Sequence, residues 1–319
     1  MLRTAVILVA VSFSIVDRCS AQSSIVIERG ENRITVSIGD DLFTAFNYKE
    51  TAKPFLYPVL GPGQLQMTRD FPMKKIAGES TDHPHHKSIW IGQEISGFDF
   101  WTCKRGSTIQ VVGDPAIDLE NHTITANSNW VDPKGTTICS DTTTWTFGFD
   151  EHSRTIDCEF VLSASAGPIT IDDSKEGTVA IRTHPDLRLK PAPKRGVKEV
   201  FGNAINSQGT EGADVWGQTA SWVLYSGTID AQPASLLILD HPKNFRHPTT
   251  WHARDYGLIA ANPFGLHDFQ QMAKGSGAVK LAEGQTLTLR YRFMFFDDMI
   301  DAEAAAAQFQ LLQEVQPTK

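Results

Sequence analysis

Cysteine is scarce in this 319-residue chain, four in all, and no two of them form a CxxC pair. Neither a disulfide framework nor a thiolate metal knuckle can therefore carry the fold, which must rest on a hydrophobic core. Long apolar runs are also missing. The only one, Ala5 to Val16, falls short of the roughly 20 residues that a membrane-spanning helix needs. Positive charge is in deficit: 29 Lys and Arg stand against 37 Asp and Glu, a formal net charge of −8. Such a balance argues against nucleic acid and against an anionic membrane surface as partners. Familiar catalytic signatures are absent as well. There is no Gly-x-Ser-x-Gly elbow, no His-Glu-x-x-His and no dinucleotide fingerprint, and Gly61-Pro62-Gly63 lacks the lysine and helix of a phosphate loop. An ordinary serine hydrolase and a nicotinamide-dependent dehydrogenase are set aside on these grounds.

Arg3, the apolar run and Cys19-Ser20-Ala21 stand in the order of a secretory signal peptide, so residues 1–21 are expected to be a leader cleaved after Ala21. A periplasmic or secreted location follows as an expectation. Removing the leader takes Arg3, Arg18 and Asp17 with it and leaves 27 basic and 36 acidic residues. Cys103, Cys139 and Cys158 remain, a number that permits one disulfide and a spare thiol.

Strand signals dominate residues 22–319. Ser24 to Arg29 and Arg33 to Ile38 alternate apolar and polar side chains around Gly30-Glu31-Asn32, which reads as a hairpin. Similar segments recur at Ile109 to Val112, His122 to Trp130, Thr136 to Phe149, Thr155 to Ser163, Gly177 to Arg182, Ala220 to Gly227, Ser235 to Asp240 and Gln285 to Phe296. Only Ala302 to Val315, rich in alanine, glutamate, glutamine and leucine, predicts a helix, with Asp301 as its cap. The expectation is an all-β chain, one large β-sandwich with a C-terminal helix, with two tandem sandwich modules as the alternative.

Four polar or glycine-rich connections carry the unusual residues: Lys74 to Lys87, Asp172 to Gly177, Asn203 to Gly217 and Pro242 to Gly265. Loops held by a rigid scaffold are where chemistry concentrates. Asp-His-Pro occurs twice, at Asp82-His83-Pro84 and Asp240-His241-Pro242, and the first copy runs on into His85, His86 and Lys87. In an extended backbone His83 and His85 would share one face and His86 the other. Two imidazoles on a face can bind a divalent metal, or one can act as acid or base while the other orients. Asp82 can fix a tautomer. In Trp251-His252-Ala253-Arg254-Asp255-Tyr256-Gly257, His252, Arg254 and Tyr256 would form a row able to grip an oxygen-rich ligand. The planar fork of Arg254 suits a carboxylate or enolate. Glu176 is a candidate general base if burial raises its pKa, with Thr178, Ala180 and Arg182 following on one face. Trp90, Trp101 and Trp216 lie near these loops and favour a sugar-like ligand.

With these residues in view, the chain resembles a bacterial family, frequent in planctomycetes and Bacteroidetes, that carries the label methane oxygenase PmoA. The resemblance runs from Lys53-Pro54-Phe55-Leu56-Tyr57-Pro58 to Gly265. It rests on Asp82-His83-Pro84-His85-His86, Gly97-Phe98-Asp99-Phe100-Trp101, Glu176-Gly177 with Arg182, Trp216-Gly217, Asp240-His241-Pro242, and Trp251 to Gly257 with Asn262-Pro263-Phe264-Gly265. At Lys87 and Gln93 the usual family pattern has glycine and histidine instead. The membrane-bound oxygenase subunit itself, built of several transmembrane helices, is excluded because no spanning run follows the leader. The resemblance implies a large sandwich of the sugar-mutarotase type and a sugar-related role.

Together these readings predict an exported enzyme acting on a sugar or oxidised glycoside by acid–base chemistry, as a lyase, hydrolase or epimerase. His85, His86, His252 and Glu176 are the catalytic candidates. His83, Trp90, Trp101, Arg182, Trp216, Asp240, His241, Arg254, Tyr256 and Asn262 are the substrate-binding candidates. A divalent metal held by His83 or His85 with His241 or His252 is the metal-assisted variant, on the expectation that the two Asp-His-Pro segments meet in one pocket. A non-catalytic carbohydrate-binding protein and a soluble metal-dependent oxygenase are the alternatives.

Overall fold

The computed structural model describes residues 24–77, 79–191, 199–200 and 202–314, so the expected leader lies outside the described residues. Alternation builds the first hairpin as the sequence implies. Ile25, Ile27, Ile34 and Val36 are buried while Val26 and Glu28 face outward, and Ile25–Arg29 pairs antiparallel with Arg33–Ile38. The hairpin opens a seven-stranded antiparallel sheet that continues through Asp41–Asn47, Phe55–Val59, Ile89–Ile91, Val179–Arg182 and Leu258–Ala261.

A larger sheet packs against it. Its path runs Asn203–Asn206, Trp222–Ile229, Gln232–Asp240, Thr286–Phe296, Ser153–Ser163, Thr137–Phe149, Thr123–Val131 and Thr108–Val111, with Ala116–Asp118 paired antiparallel to the start of Thr123–Val131. Between the sheets lies one connected core, with Phe43, Phe46, Ile89 and Ile181 from the first sheet meeting Trp145, Phe147, Phe160 and Phe293 from the second. The architecture is thus the all-β sandwich expected, closed by a C-terminal helix.

That helix, Ala302–Glu314, starts where Asp301 Oδ1 accepts the Ala304 N–H at 2.9 Å. Ala305 and Leu312 are buried, and with Phe309 they pack on the outward side chains Trp222, Leu224, Leu237, Leu239, Met294 and Phe296 of the larger sheet. No helix among the described residues is long and apolar enough to cross a membrane. Cys103, Cys139 and Cys158 are all free thiols, so the disulfide their number allowed is not formed.

Four strands of the seven-stranded sheet escape the sequence reading, and for two of them the reason is burial on both faces, although Val179–Arg182, equally buried, was read within Gly177 to Arg182. Ile89-Trp90-Ile91 and Leu258-Ile259-Ala260-Ala261 are buried at every position, which erases the alternation that marks a strand with one wet face. Leu258–Ala261 accordingly lies inside what the sequence suggested was the loop Pro242 to Gly265. What covers the outer face of this sheet is the candidate site.

Candidate functional site

In the central strands, Ile89, Ile91, Val179, Ile181 and Ile259 point into the main core, so Trp90, Ala180, Leu258 and Ala260 must point away from it. These outward side chains form a second cluster with Phe55 and Trp101, capped by Tyr57, Met73 and Tyr256. Arg182 has the same parity as Ala180. The sheet therefore presents a floor of indoles and one guanidinium on its outer side.

The first Asp-His-Pro segment lies over this floor as a tight turn and not as the extended strand expected. His83 takes a positive φ of 47°, and the His86 N–H bonds back to the His83 carbonyl at 3.0 Å. The turn brings all three imidazoles together: His83 stacks on His86 at 4.8 Å, and His85 meets His86 edge-on at 4.4 Å. His86 rests on Trp90 at 5.0 Å, while His83 continues the stack onto Tyr256 at 5.1 Å. The predicted division of His83 and His85 from His86 is overturned because the chain reverses here.

Two arginines hold the turn. Arg69, which the sequence reading missed, donates to Asp82 Oδ1 at 2.7 Å, to the His83 carbonyl at 3.0 Å and to the Phe71 carbonyl at 3.1 Å. Arg182 reaches Asp82 Oδ1 at 3.4 Å and lies 3.3 Å from His86 Nδ1. Each guanidinium is almost fully buried, so both are struts and neither is an open clamp for substrate. Lys53 is equally hidden. Its Nζ sits over Trp90 and Trp101 and donates to the Trp101 carbonyl.

Glu176 arrives from the opposite side on a short arm whose backbone is fixed at successive residues. Asn262 donates to the Ser174 carbonyl at 2.8 Å, His252 Nδ1 donates to the Lys175 carbonyl at 2.9 Å, and the Lys175 N–H reaches Asp268 at 3.2 Å. Beyond it, Gly177 lies against Gln93 so closely that an added Cβ would fall 1.8 Å from Gln93 Oε1. Gln93 cannot easily yield, because its amide also accepts from Thr178 at 2.9 Å and donates to Asp172 at 3.2 Å. Asn262 and His252 are thus positioning residues for Glu176. The row of His252 with Arg254 and Tyr256 had suggested a common grip on the ligand, and Asn262 had been expected to bind substrate. His252 and Arg254 are indeed held opposite the terminal strand, with His252 N–H on the Ala260 carbonyl and Arg254 N–H on the Leu258 carbonyl.

Burial sets the protonation of the site. Desolvation pushes His83 down to about 4 and His85 and His252 each to about 3, and it drives His86 well below the usual imidazole value. Neighbouring positive charge, Arg182 foremost for His83 and His86 and Lys53 for His85, adds to the effect. All four rings are therefore neutral near pH 7. Desolvation raises the Glu176 carboxyl above its ordinary value, and it raises the Tyr256 phenol, which stays protonated. Lys53 is pushed down to about 8 by burial.

Unpaired polar atoms gather here. His83 Nδ1, His85 Nδ1, His252 Nε2 and the indole nitrogens of Trp90, Trp101 and Trp216 are all buried without a protein hydrogen bond. His83 Nδ1 lies 3.2 Å from Asp82 Oδ2 but without hydrogen-bond alignment. Because Nδ1 of His252 serves the Lys175 carbonyl, its Nε2 carries a free lone pair. A buried polar group left unmade costs about 1–3 kcal/mol, so a concentration of them marks a place completed by water or ligand.

The structure brings His83, His85, His86, Trp90, Trp101, Glu176, Arg182, Trp216, His252, Arg254 and Tyr256 into one neighbourhood. It does not bring in the second Asp-His-Pro segment. Asp240 is fully buried and accepts from Asn244 at 2.8 Å, from His247 at 2.7 Å and from the Thr249 N–H at 2.9 Å, which makes it a loop anchor. His241 borders a different cavity, of about 320 Å³, beside Arg290, Arg292 and Leu312. The expectation that the two segments meet is corrected, since Asp240 ends a strand of the larger sheet. The pairing of His241 with His83 or His85 around a metal falls with it. Among the described residues no group of three or more His, Cys, Asp or Glu is arranged to hold a metal ion.

Burial divides the gathered residues by role. His86 and His252, expected to be catalytic, are 1% and 2% exposed, and Trp90 and Trp101 are wholly covered. Those four form walls and floor. His83, His85, Glu176, Trp216, Arg254 and Tyr256 keep partial access to solvent. No sequence pattern announces Arg69 or Lys53 as part of the site, although Lys53 opens one of the matched segments.

The chain shows low similarity to three solved structures. An α-galactosidase from Lactobacillus brevis aligns over 91% of this chain and 42% of its own, with 9% identity and a TM-score of 0.44. A galactose mutarotase-like protein from Lactobacillus casei aligns over 85% of this chain and 100% of its own, with 7% identity and a TM-score of 0.36. A putative aldose 1-epimerase from Escherichia coli K12 aligns over 87% and 99%, with 9% identity and a TM-score of 0.34. This chain thus spans less than half the length of the galactosidase. No curated protein matches it. A family described as "Family of unknown function (DUF6807)" matches residues 33–310.

Proposed function

As the chain belongs to the family of unknown function DUF6807, its chemistry has to be read from the site, and we propose a carbohydrate-directed enzyme working by acid–base catalysis with Glu176 as proton carrier. One observation carries this reading: Glu176 combines a pKa raised by burial with a backbone arm fixed by Asn262, His252 and Asp268. A group used for proton transfer needs a pKa near the working pH and a fixed position, and Glu176 has the right direction of shift and the clamp. The neutral imidazoles, driven down to about 3 or 4, are poor bases by comparison and serve as hydrogen-bonding surface.

A polyol ligand suits the rest of the pocket. Its hydroxyls both donate and accept, and the unpaired indole N–H groups and neutral imidazoles supply both kinds of partner. The partly exposed ring of Trp216 offers an apolar face, whereas the Tyr256 ring is stacked by His83 and covered by the Arg182 guanidinium, so that Tyr256 contributes its hydroxyl. In this reading Tyr256 donates to a substrate oxygen, Arg254 holds a second, His83 and His85 orient hydroxyls, and Glu176 moves a proton at a carbon or a glycosidic oxygen of the sugar.

The test is turnover of oxidised and unoxidised glycosides by the purified protein, followed by mass spectrometry. Glu176→Gln keeps the size of the side chain and is expected to lower kcat by about 10²–10⁴-fold with sugar binding retained. Sugar binding without conversion across the panel would instead identify a carbohydrate-binding protein. An undiminished rate in Glu176→Gln would remove Glu176 from the chemistry.

A further inference from the structure

Arg254 differs from the two arginines that hold the turn in what it lacks. Arg69 and Arg182 share Asp82, and each is buried. The Arg254 guanidinium is half-buried and makes no ion pair or side-chain hydrogen bond among the described residues. Its neighbours are aromatic: the guanidinium carbon lies 5.4 Å from the Tyr256 ring centre and 6.0 Å from that of Trp216. The adjacent acid, Asp255, is turned to Lys190 at 3.4 Å. A planar cation held between two rings with its donors unspent is pre-organised for an anion.

The surroundings specify the anion. Trp216 carries an unpaired buried indole N–H, and its ring meets His252 edge-on at 6.5 Å. His252 in turn presents the unpaired lone pair of Nε2. Two donors with one acceptor beside them match a carboxylate with a hydroxyl nearby on the same ring, as the C4 hydroxyl of a pyranosyl uronate stands to its carboxylate. A dianionic phosphate monoester fits less well, because one free fork beside neutral imidazoles and the acid Glu176 supplies too little positive charge.

We infer that the ligand is an acidic sugar of the uronate class and that the Arg254 fork, with the Trp216 N–H, receives its carboxylate. This rests on the sugar-directed reading above and narrows it. It also accounts for a cationic receptor in a chain whose net charge is −8. The receptor is local and paid for by aromatic contacts, not by a basic surface.

Calorimetric titration of the whole protein at about pH 7.5 with matched pairs, methyl glucuronoside against methyl glucoside and methyl galacturonoside against methyl galactoside, tests it. Wild type is expected to bind at least one acidic member about tenfold or more tighter than its neutral counterpart. Arg254→Met should abolish that preference, lowering affinity for the acidic member about tenfold or more beyond any loss for its neutral counterpart, and Arg254→Lys should restore it only in part. Equal affinity within each pair, or a preference that survives in Arg254→Met, overturns the uronate assignment and leaves the sugar-directed reading standing. Binding of no sugar in either pair, or competition by acetate as strong as by uronate, overturns both.

Discussion

Truncating Asn262 to alanine tests the clamp on Glu176 without requiring a known substrate. Asn262 is fully buried, donates to the Ser174 carbonyl at 2.8 Å and accepts the Phe264 N–H at 2.9 Å. Asn262→Ala strands one buried carbonyl and one buried N–H. At about 1–3 kcal/mol for each unsatisfied group, less whatever an entering water restores, the expected loss is about 2–4 kcal/mol. It should appear as a lower urea midpoint with an unchanged denaturant slope. Amide exchange at residues 174–178 should rise beyond the global change, because that is the segment released. Asn262→Asp adds a check of sign. The carboxylate keeps the acceptor for Phe264 but faces the Ser174 carbonyl, so its folded-state pKa is raised and its penalty relative to wild type should shrink as pH falls and the acid becomes a donor. A loss below about 0.5 kcal/mol in Asn262→Ala, or unchanged exchange at 174–178, would refute the positioning argument.

Stability should depend on pH through the buried imidazoles. With folded-state values of about 4 for His83 and about 3 for His85 and His252, against 6.5 for a free histidine, the unfolded chain binds more protons in between. Stability from these groups is complete above about pH 6.5 and declines toward pH 4, so a urea midpoint identical at both ends would remove the neutral-imidazole account. Arg69→Met deprives Asp82, His83 and Phe71 of donors and is expected to cost about 3–5 kcal/mol, measured by thermal or chemical unfolding. Asp301→Ala removes the bond to the Ala304 N–H and should cost about 1 kcal/mol, and an unmoved thermal midpoint would show that packing alone secures the terminal helix.

Legibility in the sequence followed exposure in several strands, though Val179–Arg182, buried at every position, was read all the same. Ile25–Arg29 and Thr137–Phe149 were readable because one face of each is wetter than the other. Ile89–Ile91 and Leu258–Ala261 were not, because the site itself covers their outer face. Among functional residues, His83, His85, His86 and Glu176 drew notice by unusual local company. Arg69 did not, since nothing near it in the chain hints that it supports a turn 13 residues away.

By itself, the sequence determined that this is a β protein with one terminal helix, that no thiol framework holds it, and that its polar chemistry lies in a few loops. Those properties follow from composition and short-range periodicity, which act along the chain. Only the tertiary structure decided which loops meet. The two Asp-His-Pro segments look alike in sequence, yet one folds as a turn over Trp90 beside Tyr256 and the other anchors a loop at the end of a strand in the opposite sheet. Strand order, which depends on pairings across more than a hundred residues, put Arg254 between two rings, turned His252 and Asn262 toward the backbone before Glu176, and separated His241 from them all.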